Sequence, residues 1–160
     1  MGFEAIAQTA KYGENGRGDY DEYISKDGSV YKVGEKLKIG TPQGLNKTFT
    51  FILEGDGILV APTSCPAARG GMEYEIKSFR AGNKAQGYKI WSKMKCNALA
   101  LPLIVDFENA LQSGELIGYG YTRDQALQEL KKFKDMYDLE LISKEDYDKK
   151  KEELQKYILQ

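Results

Sequence analysis

Residues 122–159 read TRDQALQELKKFKDMYDLELISKEDYDKKKEELQKYIL, and their periodicity decides half of the architecture. Thr122 followed by Gln125 has the form of a capping box, in which a Ser/Thr hydroxyl and a Glu/Gln side chain satisfy two exposed N–H groups reciprocally. Apolar side chains then recur at Ala126, Leu127, Leu130, Phe133 and Tyr137, the spacing of one helical face. Ser143 offers a second N-cap, with Glu145 and Asp146 in a first turn where the helix dipole favours negative charge. Tyr147, Leu154 and Ile158 line the second helix, with Lys150 and Lys151 beside them. The stretch therefore predicts a two-helix hairpin over 122–158, turning between Asp138 and Ile142. Helices this short are marginal in water unless their apolar face is covered. Leu127, Leu130, Phe133, Tyr137, Leu141, Ile142, Tyr147, Leu154 and Ile158 thus form a candidate assembly surface. Its partner is either the rest of the chain or a second copy.

The same residues carry a family resemblance. Leu127, Leu130, Phe133, Lys134, Asp138, Leu141, Ile142, Ser143, Glu145, Asp146, Tyr147, Lys150, Lys151 and Leu154 follow the pattern of the SHOCT family. This short C-terminal domain is found at the ends of many bacterial proteins. One departure is Glu140, at the turn position where the family usually has Gly; it bears on the turn's left-handed residue and leaves the helices untouched. The resemblance implies a module that mediates oligomerisation, and no activity.

Upstream, the period changes from helical to alternating. Lys36-Leu37-Lys38-Ile39 and Met72 to Phe79 alternate polar and apolar residues, and Thr48 to Leu53 is aromatic and β-branched. Val30 to Val33, Ile58 to Ala61, Tyr88 to Met94 and Leu99 to Val105 add further strand signals, separated by turn residues such as Asp27-Gly28, Glu54-Gly55-Asp56-Gly57 and Ala81-Gly82-Asn83. Asp106 is placed to cap a short helix over Phe107 to Gln112, closed by Ser113-Gly114. The expected fold is α+β: a small antiparallel β-barrel or curled sheet with one short helix over 28–118, followed by the hairpin. Residues 1–27, rich in Gly, Asn, Asp and Tyr, read as an irregular N-terminal arm. Gly118 and Gly120 form the joint that sets the tail's angle.

Ala5-Ile6-Ala7 has the small-residue pattern of a signal-peptidase site, without a basic or apolar region before it. It is a coincidence in a cytoplasmic chain, or Met1 lies inside a longer signal peptide. In the second case residues 1–8 are a remnant and the protein is periplasmic or secreted.

The chemistry that can be excluded is extensive. Among 160 residues there is no histidine, which removes Ser-His-Asp and Cys-His catalysis, His-containing zinc sites and the usual pH switch. Cys65 and Cys96 are far apart in sequence; they are unremarkable thiols, or a single disulfide in an oxidising compartment. The glycine-rich pieces lack the Lys-Ser/Thr of a phosphate loop. No catalytic residue, cofactor or metal ligand is expected, and no apolar run is long enough to span a bilayer. Net charge is −1, so nothing draws the whole chain to nucleic acid or membrane.

One block departs from that neutrality. Residues 76–105 contain no Asp or Glu and sum to +6, against −3 before them and −4 after. Lys77, Arg80, Lys84, Lys89, Lys93 and Lys95 alternate there with Phe79, Tyr88 and Trp91. A basic, aromatic sheet face is how small barrels hold single-stranded nucleic acid or other polyanions. Lys89, Trp91 and Lys93 share one strand parity, and Tyr88, Ile90 and Met94 the other, which would be core. The favoured expectation is a non-enzymatic binding or assembly protein acting as a homo-oligomer or with another protein. The alternative is a polyanion-binding barrel.

Overall fold

The computed structural model describes residues 8–14, 16–82, 89–96 and 100–159, in two units, Met1–Gly118 and Tyr119–Gln160. The Ala5-Ile6-Ala7 step, the Asn83 turn, Lys84, Tyr88 and the start of the strand expected from Leu99 lie outside the described residues.

The first unit is a curled antiparallel half-barrel with one short helix. Its large sheet runs β11 (Leu116–Ile117), β5 (Lys36–Ile39), β8 (Glu73–Ala81), β9 (Ile90–Lys95), β10 (Leu103–Asp106), β6 (Thr48–Glu54) and β7 (Thr63–Pro66), with β2 (Gly18–Tyr20) also paired to β8. A small sheet orders β1 (Thr9–Lys11), β3 (Glu22–Ile24) and β4 (Val30–Lys32), the first pair parallel. Alternation puts Leu37, Ile39, Ile90, Met94, Leu103 and Val105 inside. Along β8 the inward residues are Tyr74 and Ile76, then Phe79 and Ala81. The phase slips by one because the pairing jumps from Ile76 opposite Met94 to Ser78 opposite Lys93, a bulge that sharpens the curl.

Helix α1 (Phe107–Ser113) lays Phe107 and Ala110 into the sheet's concave side. Phe107 meets Phe79, Tyr31 and Tyr23 edge-on, with ring centroids 5.0, 5.1 and 5.8 Å apart, a geometry that adds to plain burial. Asp106 holds the N-cap position, but its side chain caps no backbone group; it accepts from Asn109 Nδ2 at 2.9 Å instead. Gly114 ends the helix at φ 78°, the left-handed stop that glycine supplies cheaply.

Two expectations are corrected. Residues 8–27 are not an irregular arm: they hold β1, β2 and β3, with Ala10 and Tyr23 fully buried. Strands of three residues are too short to show alternation, and tertiary pairing makes them. Ile58 to Ala61 is not a strand but an exposed turn. The chain then forms the edge strand β7 over Thr63–Pro66, where a proline is tolerated because one side carries no ladder. Gly118 is the last residue of the first unit and is also closely packed. A Cβ there would lie 2.3 Å from the Tyr31 hydroxyl and 2.6 Å from Leu111 Cδ2, so the residue is small to admit close packing.

The second unit is helix α2 (Arg123–Asp138) and helix α3 (Lys144–Ile158). Thr122 forms the full capping box with Gln125, and Ser143 Oγ accepts from Asp146 N. Glu140 adopts φ 59° in the turn, carrying the left-handed conformation that a glycine would take without strain.

Candidate functional site

The hairpin seam is built from two interlocking series, 126/130/133/137 on α2 and 147/150/154/157 on α3. Ala126, Leu154 and Tyr157 are buried between the helices, and Leu130 and Ile158 pack against them. Nearer the turn, Tyr137 and Tyr147 stack with centroids 5.3 Å apart and an interplanar angle of 15°. Between these layers the Lys150 Nζ lies 5.5 Å from the Phe133 ring centroid and 5.7 Å from that of Tyr121. A hydrogen bond to Glu153, 3.1 Å away, holds the Lys150 ammonium above its ordinary pKa. A lysine can occupy a seam position in this way because its stem packs while its charge meets ring faces and a carboxylate.

The structure thus brings Leu130, Phe133, Tyr137, Tyr147, Leu154 and Ile158 together inside the hairpin. Ile142 is half-buried in the turn. Leu127 and Leu141 stay out, 42% and 67% exposed. Tyr157 and Lys150 belong to the seam but not to the expected surface; Tyr157 could have been found as the third residue after Leu154 on the same face.

The basic block is distributed quite differently from its appearance in sequence. On the outer face, Asp19 of β2, Arg80 of β8, Trp91 of β9 and Asp106 of β10 stand directly opposite one another in a row. Arg80 Nε is 3.3 Å from Asp19 Oδ1. Lys89 Nζ is 3.3 Å from the buried Asp106 carboxylate and 5.6 Å from the Trp91 ring centroid. Lys77 pairs with Glu75 at 2.6 Å, and Lys95 stands across from the same Glu75. Lys93, half-buried, lies between Ser78 and Ile104. Trp91 is half-buried and outward, on the face carrying Lys93. Strand pairing has therefore brought a carboxylate from elsewhere in the chain to Arg80, Lys89 and Lys95.

Two buried carboxylates went unnoticed in the sequence. Glu115, fully buried, accepts from Gln43 N at 3.1 Å and Thr50 N at 2.7 Å through Oε1, and from Phe51 N at 2.7 Å through Oε2. Two consecutive amides of β6 point to one carboxylate because the β6–β7 register breaks between Thr48 and Leu53. Glu108 takes the Tyr23 hydroxyl in a short hydrogen bond, and also Gln112 Nε2 and the Lys26 amide. Burial and the Glu108 carboxylate push the Tyr23 pKa far up. Both carboxylates are fasteners between distant segments, with every bond spent on the protein itself.

At one end of the half-barrel, Arg69 Nε donates to Glu54 Oε1 at 2.9 Å, with a second bond from Nη2. The Tyr74 hydroxyl is buried without a hydrogen-bond partner among the described residues. Cys65 and Cys96 are free thiols; burial pushes Cys65 up to about 12. Cys96 is half-buried and lines a surface cavity of about 320 Å³ with Lys36, Met72, Glu73, Glu75 and Lys95. Among the described residues no helix is long and apolar enough to cross a membrane. The chain matches no protein-family model, no curated protein and no solved structure.

Proposed function

We propose that this is a non-enzymatic binding and assembly protein in which the C-terminal hairpin carries self-association, as its resemblance to the SHOCT family implies. The observation that supports this is how little the hairpin buries for itself. Ala126, Leu154 and Tyr157 are its buried hydrophobic residues, while Leu127, Leu139, Leu141 and Leu159 are between 42% and 73% exposed. A two-helix unit with so small a core gains from covering those leucines on a second surface. The test is light scattering on the full chain and on a chain ending at Tyr121. The full chain is expected at twice the monomer mass, and the shortened one at the monomer mass. A monomeric full chain would refute self-association; if it is monomeric yet melts higher than the shortened chain, the hairpin serves contacts within the chain.

The alternative, single-stranded nucleic acid or polyanion binding on the face of residues 76–95, draws support from the outward Trp91 beside Lys93. It has less support than the first reading, because Arg80, Lys89 and Lys77 already face carboxylates. Retention on heparin at low ionic strength, falling steeply with salt, is its expected signature.

A further inference from the structure

The most anomalous surface of the first unit is the turn between β6 and β7. Ile58 is 82% exposed and Leu59 89%, with Val60 and Leu101 also open to solvent. Nothing about this turn is slack. Asp56 Oδ1 accepts three successive backbone amides, those of Ile58 at 2.9 Å, Leu59 at 2.8 Å and Val60 at 2.8 Å. The Gly57 amide donates to Val60 O at 3.1 Å, and the Gly55 amide to Pro102 O at 2.8 Å. The turn needs glycine at both places, with φ 138° at Gly55 and 73° at Gly57.

All four amides of residues 57–60 are thus satisfied within the turn. In water this is unnecessary, since solvent would serve the donors equally well. In an apolar medium it is decisive, because an unpaired N–H there is heavily penalised. The turn is preorganised to leave water with its aliphatic tips foremost and its donors paired.

The charge around it selects the medium. Residues 57–72 contain no Asp or Glu, and residues 76–105 contain none either. Arg69 is paired with Glu54, and the Asp56 carboxylate is taken up by three amides of the turn, with Lys93 near it, so the cation beside the aliphatic tips is Lys93. Gly57 stands against Ile104, whose side chain would meet a Cβ there at 3.4 Å. Across the ladder from Ile104 is Lys93, with Trp91 two residues along on the same face. Aliphatic tips, an adjacent lysine and an amphipathic indole are the components of an interfacial lipid contact. A protein pocket would be expected to select aromatic or arginine anchors over Ile and Leu.

We propose that residues 57–60 form a preformed apolar prong that dips into the surface of an anionic lipid bilayer, with Lys93 at the headgroups. Binding through two aliphatic side chains is weak and reversible, below even the marginal anchoring given by a single acyl chain. The test is co-sedimentation of the full chain with phosphatidylcholine vesicles, with and without phosphatidylglycerol, followed by fluorescence of Trp91, the sole tryptophan. Binding is expected on the anionic vesicles, with a blue shift of Trp91. Ile58→Ser and Leu59→Ser are each expected to weaken it about tenfold or more. Both positions are exposed, so circular dichroism and melting should match the parent. Asp56→Ala, which frees three amides but keeps both aliphatic side chains, is expected to bind more weakly than Asp56→Asn, which loses the same charge but keeps an acceptor oxygen. Absence of sedimentation with anionic vesicles at low salt overturns the proposal. So does binding that survives both serine substitutions, or a prong that proves to be protected by a protein partner and not by vesicles.

Discussion

Replacing Glu115 tests whether one buried carboxylate holds the barrel's corner together. Three backbone amides, of Gln43, Thr50 and Phe51, end on it at 2.7–3.1 Å, and the side chain has no exposure to solvent. Glu115→Gln keeps one carbonyl oxygen, which can serve Gln43 and Thr50, but turns an NH₂ group toward the Phe51 amide. One bond is lost, the other two lose their charge assistance, and the Phe51 amide and the new NH₂ are left facing each other as donors, a cost of about 1–3 kcal/mol. Glu115→Ala orphans three donors at once and leaves a small void, so about 3–5 kcal/mol is expected. Urea denaturation followed by Trp91 fluorescence measures both, and the alanine variant should lie about 2 kcal/mol below the glutamine variant. If Glu115→Ala unfolds within about 1 kcal/mol of the parent, the amides have found other partners and the fastening argument fails.

Leu154→Ala should destabilise the hairpin by about 2–5 kcal/mol, and Leu141→Ala by less than about 0.5 kcal/mol, read by hydrogen exchange in α2 and α3. Glu140→Gly should stabilise the hairpin by about 0.5–1 kcal/mol by relieving the left-handed backbone, visible as slower exchange on both sides of the turn. With a thiol reagent at mild alkaline pH, Cys96 should react first and Cys65 only on unfolding, because Cys65 is fully buried and its pKa is pushed up to about 12. A raised thiol pKa means that the unfolded chain loses its proton first. The stability Cys65 contributes is therefore intact below about pH 9 and falls as pH climbs toward 12; Cys65→Ala should flatten that alkaline decline.

What was legible in the sequence follows from how far each signal reaches along the chain. The hairpin announced itself because capping at Thr122 and Ser143 and a helical period operate within a few residues. Strands β5 and β8 were visible because alternation appears along them, and β6 because it is aromatic and β-branched. Ile58 to Ala61 misled because apolarity alone does not distinguish a strand from a prong held by an aspartate. The three-residue strands before Asp27 were invisible, since their structure comes from partners such as Phe79 and Arg80. The same holds for the charges: Lys77 to Lys95 look like an unopposed basic face until Asp19 and Asp106 arrive through strand pairing. Glu108 and Glu115 were lost among 24 carboxylates, because all their partners but Gln112 lie 64 to 85 residues away.

Those two carboxylates also set an order of events during synthesis. Glu108 binds Tyr23 and Lys26, and Glu115 binds Gln43, Thr50 and Phe51, so the residues translated last in the half-barrel fasten those translated early. A nascent chain that has reached only β10 holds its early strands without either clasp, and closure waits for α1 and β11 to emerge. Such dependence on contacts between distant residues slows folding and leaves strand edges open meanwhile. The 42 residues of the second unit follow this closing segment in the chain, so the hairpin is translated only after both clasps.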